Sequence, residues 1–258
     1  MDISQKKMPP WIDTHCHLDL SPLSEHLREL FCRATAAGVE GFVVPAVSGA
    51  LQPVELPENA FRAWGVHPGN AHRFQADDLR SLFAESPYRP VAIGECGLDR
   101  DASAPIVRQR EIFAAQLEIA REQGLPILVH LRGHWNEALD LLKRHAYGIP
   151  WVMHAFSGSF EIASLFQRQG ASFSFAGSLC MPQARKTPRV AREISLDTIL
   201  LETDSPDMRP VGWLLPENEP GSLPLIAARL ACIRGMSIES IRYATFENTT
   251  RIFGRLSF

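Results

Sequence analysis

The sequence has no apolar run approaching the length of a membrane span, so no transmembrane helix is expected. Cysteine is scarce: Cys16, Cys32, Cys96, Cys180 and Cys232 are scattered, odd in number and form no C-x-x-C pair. That spacing argues against a disulfide framework or a thiolate zinc site and predicts a reducing, cytoplasmic compartment. The N-terminal MDISQKKMPP carries two lysines with no apolar stretch behind them, so no secretion signal is expected. A strong charge of one sign is also missing. With a formal balance of -3, no global basic field draws in nucleic acid, and a polyanion would have to be captured locally.

What is present is a globular composition, 45% hydrophobic and 21% charged over 258 residues. One eighth of that length is about 32 residues, room for a strand, a helix and two short loops. Short β-rich apolar runs at 11–18, 41–48, 63–68, 90–96, 126–132, 151–156, 171–177 and 198–204 alternate with amphipathic stretches. The helical patterns cover 24–37, 77–86, 104–123, 134–146, 159–169, 184–194, 222–234 and 237–246. AAG at 36–38, EQG at 122–124 and RQG at 168–170 each end a helix in glycine just ahead of a strand. Between the second and third strands, ALQPVELPEN carries two prolines and predicts a loop in place of a crossover helix. Eight strands with helices between them predict an α/β fold, a parallel (β/α)8 TIM barrel, and no linker divides residues 1–258 into more than one domain.

Metal-type ligands stand at the ends of these strands. In WIDTHCHL, Asp13, His15 and His17 alternate and therefore share one strand face. Alone, such a pair is either a metal site or two hydrogen-bonded strand histidines. Glu95 closes the run VAIG, where an uncompensated carboxylate costs several kcal/mol; it is a metal bridge or the partner of a buried arginine. Asp99, just beyond, reads as a ligand or as a loop cap. His130 in ILVHLR and His154 in WVMHAF come late in consecutive strands, and that repetition favours ligands over satisfied core histidines. Arg132 shares the face of His130 and suits either a substrate phosphate or a rim salt bridge. In LLETDSP, Asp204 is placed to bind metal and accept a proton from water, while Glu202 lies one layer deeper to orient a ligand histidine. His67 ends the third strand and Ser157 follows His154; either suits a substrate contact, with loop packing as the alternative for Ser157. Phe74, Phe156 and Trp213 stand where they either stack on bases or simply pack. His26, His72, His134 and His145 read as solvated surface residues.

Taken together, IDTHCHLD, the VHP at His67, AIGECGLD, R-Q-x-x-x-F at Arg108–Phe113 with Gln116, ILVHLR, HAFSG, LLETDSP, NEP at Asn218–Pro220 and the tail Asn248–Phe253 resemble the TatD-type metal-dependent deoxyribonucleases. The resemblance spans nearly the whole chain. It implies a metal-dependent hydrolase barrel with His15, His17, Glu95, His130, His154 and Asp204 as ligands to two or three divalent ions (Mg, Mn or Zn), bridged by Glu95. It further implies hydrolysis of DNA phosphodiesters, in some members as a 3'-to-5' exonuclease, with His67 beside the scissile phosphate. Glu95, Asp204 and His67 are then the catalytic set. Single-stranded DNA or its 3' ends are the expected partner, no membrane is involved, and a monomer is expected. Two departures bear on substrate: the short segment after strand two, and DMRPVGWLLPENEP in place of the commoner P-x-x-x-x-G-K-x-N. The competing expectations are a superfamily hydrolase of an amide, ester or lactone, and a metal-stabilised binding module without catalysis. Acyl-acting relatives often bridge their metals with a carbamylated lysine, and no lysine stands near Glu95.

Overall fold

A computed structural model describes residues 8–50, 52–75, 77–78, 80–81, 89–254 and 256 of the chain. The strands are β1 (Trp11–Asp13), β2 (Val39–Pro45), β3 (Ser48–Gly49), β4 (Ala60–Val66), β5 (Ala92–Asp99), β6 (Ile127–Arg132), β7 (Trp151–Met153), β8 (Ser172–Phe175) and β9 (Ile199–Leu201). Eight of them run parallel in the order β1-β2-β4-β5-β6-β7-β8-β9, and β3 pairs antiparallel on β4. The ring closes beyond the strand ends: Thr14 N–H donates to Leu201 O at 3.1 Å, and Asp204 N–H donates to His15 O at 2.9 Å. This is the (β/α)8 TIM barrel that eight apolar runs predict.

The helices are α1 (Leu27–Ala36), α2 (Ile106–Gln123), α3 (Trp135–His145), α4 (Phe160–Gln167), α5 (Lys186–Glu193), α6 (Leu223–Arg234) and α7 (Ile238–Phe253). Gly124 ends α2 in the left-handed region at φ 63°, as the EQG pattern requires. Of the pattern at 77–86, residues 77, 78, 80 and 81 are helical and the rest lie outside the described residues. No helix interrupts the described part of 50–59, in keeping with its prolines. Several boundaries differ: β1, β7 and β9 stop at Asp13, Met153 and Leu201, short of the expected 18, 156 and 204, so His15, His17, His154 and Asp204 lie just past the strands, and α7 runs to Phe253, past the expected stop at 246. Asn248, Thr249 and Thr250 are poor helix formers, but the threonine hydroxyls bond back to Thr245 O and Phe246 O, and Asn248 is held from outside the helix. Asn248 Nδ2 donates to Leu196 O and Ile199 O, each at 2.8 Å, beneath β9.

Strand alternation then sets the depth of every inward residue. Val43, Ala63, Ala92, Leu128, Val152 and Leu200 form one apolar layer, sealed from below by Ile252 and Phe253 of α7. Two residues on from Leu128, Val152 and Leu200 come His130, His154 and Glu202. The polar layer therefore stands directly on the apolar one, at the carboxyl ends of the strands. The second and larger core lies between strands and helices and includes Cys16, Cys96, Leu117 and Phe173. Cys16 faces these helices, the opposite side from His15 and His17, as alternation demands.

Candidate metal centre

Glu95 occupies the middle of the polar layer, 3% exposed, with a different set of imidazoles on each oxygen. Its Oε1 lies 2.6 Å from His130 Nδ1, 2.9 Å from His154 Nε2 and 3.8 Å from His67 Nε2. Its Oε2 lies 3.5 Å from Nε2 of both His15 and His17. Asp204 Oδ1 completes the second group, 3.8 Å from His15 Nε2 and 3.6 Å from His17 Nε2. Side chains on β5 and β6 and just beyond β1, β4, β7 and β9 thus converge, each within 3.8 Å of a partner.

The donor set fits divalent cations. His15 Nε2 and His17 Nε2 face each other at 3.3 Å, and His130 Nδ1 faces His154 Nε2 at 3.2 Å. His15 and His154 stack with centroids 4.0 Å apart. Ring nitrogens so disposed aim their lone pairs at shared points, a costly burial that a cation relieves. Nδ1 of His15 and of His17 is buried without any partner, so the coordinating edges alone are organised. Two groups, His15–His17–Glu95 and His67–Glu95–His130, each gather within 4.8 Å, as do His15, His154 and Asp204. In the metal-free protein, burial pushes the Glu95 carboxyl up, but His154, His130 and His15 override it and hold it well below its ordinary value. Burial would likewise lower His154; Glu95 and Glu202 instead lift it well above the usual imidazole range.

A shell of partners orients these rings. Asp99 Oδ2 sits 2.9 Å from His130 Nε2, and its other oxygen accepts the Asp101 N–H at 2.8 Å. The loop-cap reading of Asp99 is thus present, and its second oxygen turns to His130. Glu202 Oε1 accepts the Ala155 N–H at 2.6 Å and lies 3.3 Å from His154 Nδ1. Asp204 does not end β9 but follows it by three residues, in the left-handed region at φ 54°. Asp13 explains how that turn is held: its carboxylate accepts Thr203 N–H at 2.9 Å and the Thr203 hydroxyl at 2.5 Å. Sequence reading saw Asp13 as part of an alternating motif without assigning it this strap. Asn218 of the NEP segment supports the same turn, donating to Thr203 O at 2.8 Å and Asp207 O at 2.6 Å. Gln116, just beyond the R-Q-x-x-x-F motif, holds the end of β4. Its amide clamps both polar groups of Val66, the residue before His67, at 2.7 and 3.1 Å.

The remaining candidates lie at the rim of the mouth, a cavity of about 890 Å³. His67 Nδ1 accepts the Gly69 N–H at 3.1 Å, which leaves its Nε2 to carry the proton when the ring is neutral. Burial pushes its pKa down to about 4, so the ring is a neutral donor near pH 7. Arg132 and Ser157 line the same cavity. Arg132 also makes the rim salt bridge, 3.2 Å from Asp101 Oδ2. Phe156 is 2% exposed and packs edge-on against Trp135 and Phe173, so it is core and meets no base. Trp213 Nε1 donates to Glu217 O at 3.0 Å, closing the atypical loop on itself.

Known proteins of similar sequence carry the same architecture. The chain is 33% identical over 249 residues to the uncharacterized metal-dependent hydrolase YabD of Bacillus subtilis, covering 93% of this chain and 98% of that protein. It is 32% identical over 250 residues to the 3'-5' ssDNA/RNA exonuclease TatD of Erwinia amylovora, covering 86% and 91%. The crystal structure of YJJV, a TatD homologue from Escherichia coli K12, superposes with a TM-score of 0.87 at 31% identity, covering 96% of this chain and 99% of that one. Phosphotriesterase-like and dihydroorotase barrels share the fold at 15–16% identity. The family model for TatD related DNase matches residues 12–254, and the chain belongs to that family of metal-dependent hydrolases.

Proposed function

We propose that this protein hydrolyses phosphodiester bonds of DNA, acting from 3' ends as an exonuclease, with two divalent ions held by His15, His17, Glu95, His130, His154 and Asp204. The observation that carries the reading is Glu95, whose two oxygens face two separate groups of imidazoles. A carboxylate so placed bridges two sites, the arrangement suited to in-line displacement at phosphorus. Divalent ions bound there would polarise the phosphate and make a water nucleophilic near neutral pH. The chain's own groups do the rest. Asp204, tethered through its backbone N–H to His15 O, presents its carboxylate to take up the proton of the attacking water. His67 donates from Nε2 to a phosphate oxygen, and Arg132 at the rim meets a second one, both opposing the negative charge that grows on the phosphoryl group.

The 3'-5' exonuclease name of the Erwinia relative supports nucleic acid as substrate. No lysine is among the described residues lining the mouth, which argues against acyl-acting relatives that bridge their metals through one. Free Cys16, Cys32, Cys96, Cys180 and Cys232 suit a reducing cytoplasm, with the whole chain working as one domain. The test is elemental analysis followed by digestion of 3'-labelled single-stranded DNA with Mg, Mn or Zn added back. Glu95→Ala should abolish turnover, a loss of at least about a thousandfold, while circular dichroism and the thermal transition show an intact fold. Full activity in metal-repleted Glu95→Ala would sink the proposal.

A further inference from the structure

A second cavity of about 350 Å³ opens beside the metal mouth and shares Arg132 and Ser157 with it. Its wall brings together Arg100, Arg132 and Lys186 with the hydroxyls of Ser157 and Ser159, and no carboxylate is among the described residues lining it. In a chain of formal charge -3, three cations around one hollow without a lining acid is a local reversal of sign. Asp101 pairs with both arginines, at 3.7 Å from Arg100 Nε and 3.2 Å from Arg132, and cancels one of the three charges; Glu161, which accepts a hydrogen bond from the Ser159 hydroxyl, is offset by Arg189 at 3.2 Å. Lys186 has no ion-pair partner among the described residues. It stands at the first position of α5, where the helix dipole disfavours a cation. Helix stability therefore does not account for it. Arg100 is laid across Gly133, where an added Cβ would meet its Cδ at 3.0 Å, so the backbone there makes room for the guanidinium. Neither cation belongs to the metal cluster.

We propose that this hollow binds the phosphate of the nucleotide adjacent to the scissile bond, so that a strand carrying at least two consecutive phosphates is held more tightly than a small diester. The inference rests on the phosphodiesterase reading above and adds to it a subsite and a preference for a strand. Arg100 supplies planar, paired donors and Lys186 a point charge for this anion, while Arg132, on the wall shared by both cavities, stays with the neighbouring phosphate at the metal ions. Through Arg132 and Ser157 the two cavities are continuous, so one strand can occupy both.

Lys186 and Arg100 are exposed, so their replacement leaves the fold intact. Single-stranded (dT)12 and the small diester bis(4-nitrophenyl) phosphate would be compared as substrates of Lys186→Ala, Arg100→Ala and Lys186→Arg. Each alanine variant should raise KM for (dT)12 roughly tenfold with kcat nearly constant, and lower the slope of log(kcat/KM) against log salt by about 0.7, the value of one lost single-strand phosphate contact. Turnover of the small diester should stay within about twofold, and Lys186→Arg should restore the KM. Equal losses on both substrates, or an unchanged KM and salt slope for (dT)12, would overturn the subsite. If the wild type cleaves neither substrate, the phosphodiesterase reading fails by itself. The subsite is then judged by fluorescence anisotropy of labelled (dT)12 in excess chelator: weaker binding by both alanine variants sustains it, and unaltered or undetectable binding rejects it.

Discussion

His130 depends on two carboxylates at once. Its Nδ1 faces Glu95 at 2.6 Å and its Nε2 faces Asp99 at 2.9 Å, so Asp99 fixes which nitrogen is free to coordinate and which way the ring points. The imidazoles nearby are held less firmly: Glu202 lies 3.3 Å from His154 Nδ1, but among the described residues Nδ1 of His15, His17 and His154 makes no hydrogen bond. Asp99→Ala should therefore lower the affinity of the weaker-bound metal ion by roughly 10- to 100-fold. A competition titration against a chromogenic chelator measures this directly. Unchanged affinity for both ions would show that Asp99 serves only as the Asp101 loop cap.

At the scale of the element, β5 carries the centre of the site because its neighbours come unusually close. Gly97, two residues after Glu95, lies at φ +154°, and a Cβ built on it would run into His130 O. Gly94, the residue before Glu95, leaves equally little room: an added Cβ would stand 2.5 Å from Leu128 Cβ. A side chain at either place would wedge β5 from β6 and separate Glu95 from His130. Gly97→Ala should cost about 3 kcal/mol or more, through overpacking against backbone in a conformation L-residues avoid. Urea denaturation of the metal-free protein gives the number, and a change under about 1 kcal/mol would mean that the strands separate without penalty. Elements that carry no ligand still serve the site by satisfying strand ends. Gln116 of α2 holds Val66, and Gln109 of the same helix accepts Asp99 N–H at 2.8 Å.

Across the whole molecule, the burial of so many titratable groups makes stability depend on pH in a way that metal should reverse. Burial lowers His15, aided by His154, and brings His67 to about 4. Burial acts the same way on His17, His130 and His154, but their carboxylate partners overcome it and raise all three. A lowered imidazole binds fewer protons folded than unfolded, so stability rises with pH up to the unfolded value of about 6.5. A raised imidazole contributes stability that is complete below about 6.5 and is lost as pH climbs through its folded value. Asp13, raised by burial to about 7, binds an extra proton in the fold and opposes the lowered imidazoles below that pH, so the metal-free protein should gain stability only gently up to about pH 6.5 and weaken on the alkaline side. Bound cations require neutral imidazoles and compete with protons, so metal-loaded protein should keep gaining stability past that point. Thermal transitions from pH 5 to 9, with and without chelator, decide it: parallel curves would show that the imidazoles hold no metal.

How much of this was legible in the sequence follows from periodicity. Alternation along a strand is local and strict, so Asp13–His15–His17, His130 over Leu128 and His154 over Val152 could be placed on one face from the sequence alone. Glycine stops and the proline-rich 50–59 segment were equally readable, because φ preferences act on single residues. Depth and distance were not. Whether Arg132 meets a phosphate or Asp101, whether Phe156 stacks on a base or in the core, and where α7 ends all depend on partners far along the chain. Asn248 reaching β9 and Asp13 strapping Thr203 are contacts between residues 49 to 52 and 190 positions apart respectively.

The order of the residues by itself determined the eight-fold alternation, the inward face of each strand and the kind of donor each strand end offers, since these follow from backbone geometry and side-chain chemistry over a few residues. Only the closed barrel decided that six donors meet at two sides of one carboxylate, and that three cations gather in a hollow beside them. Closure converts separations of tens to hundreds of residues into a few ångströms, and a linear pattern does not encode that distance.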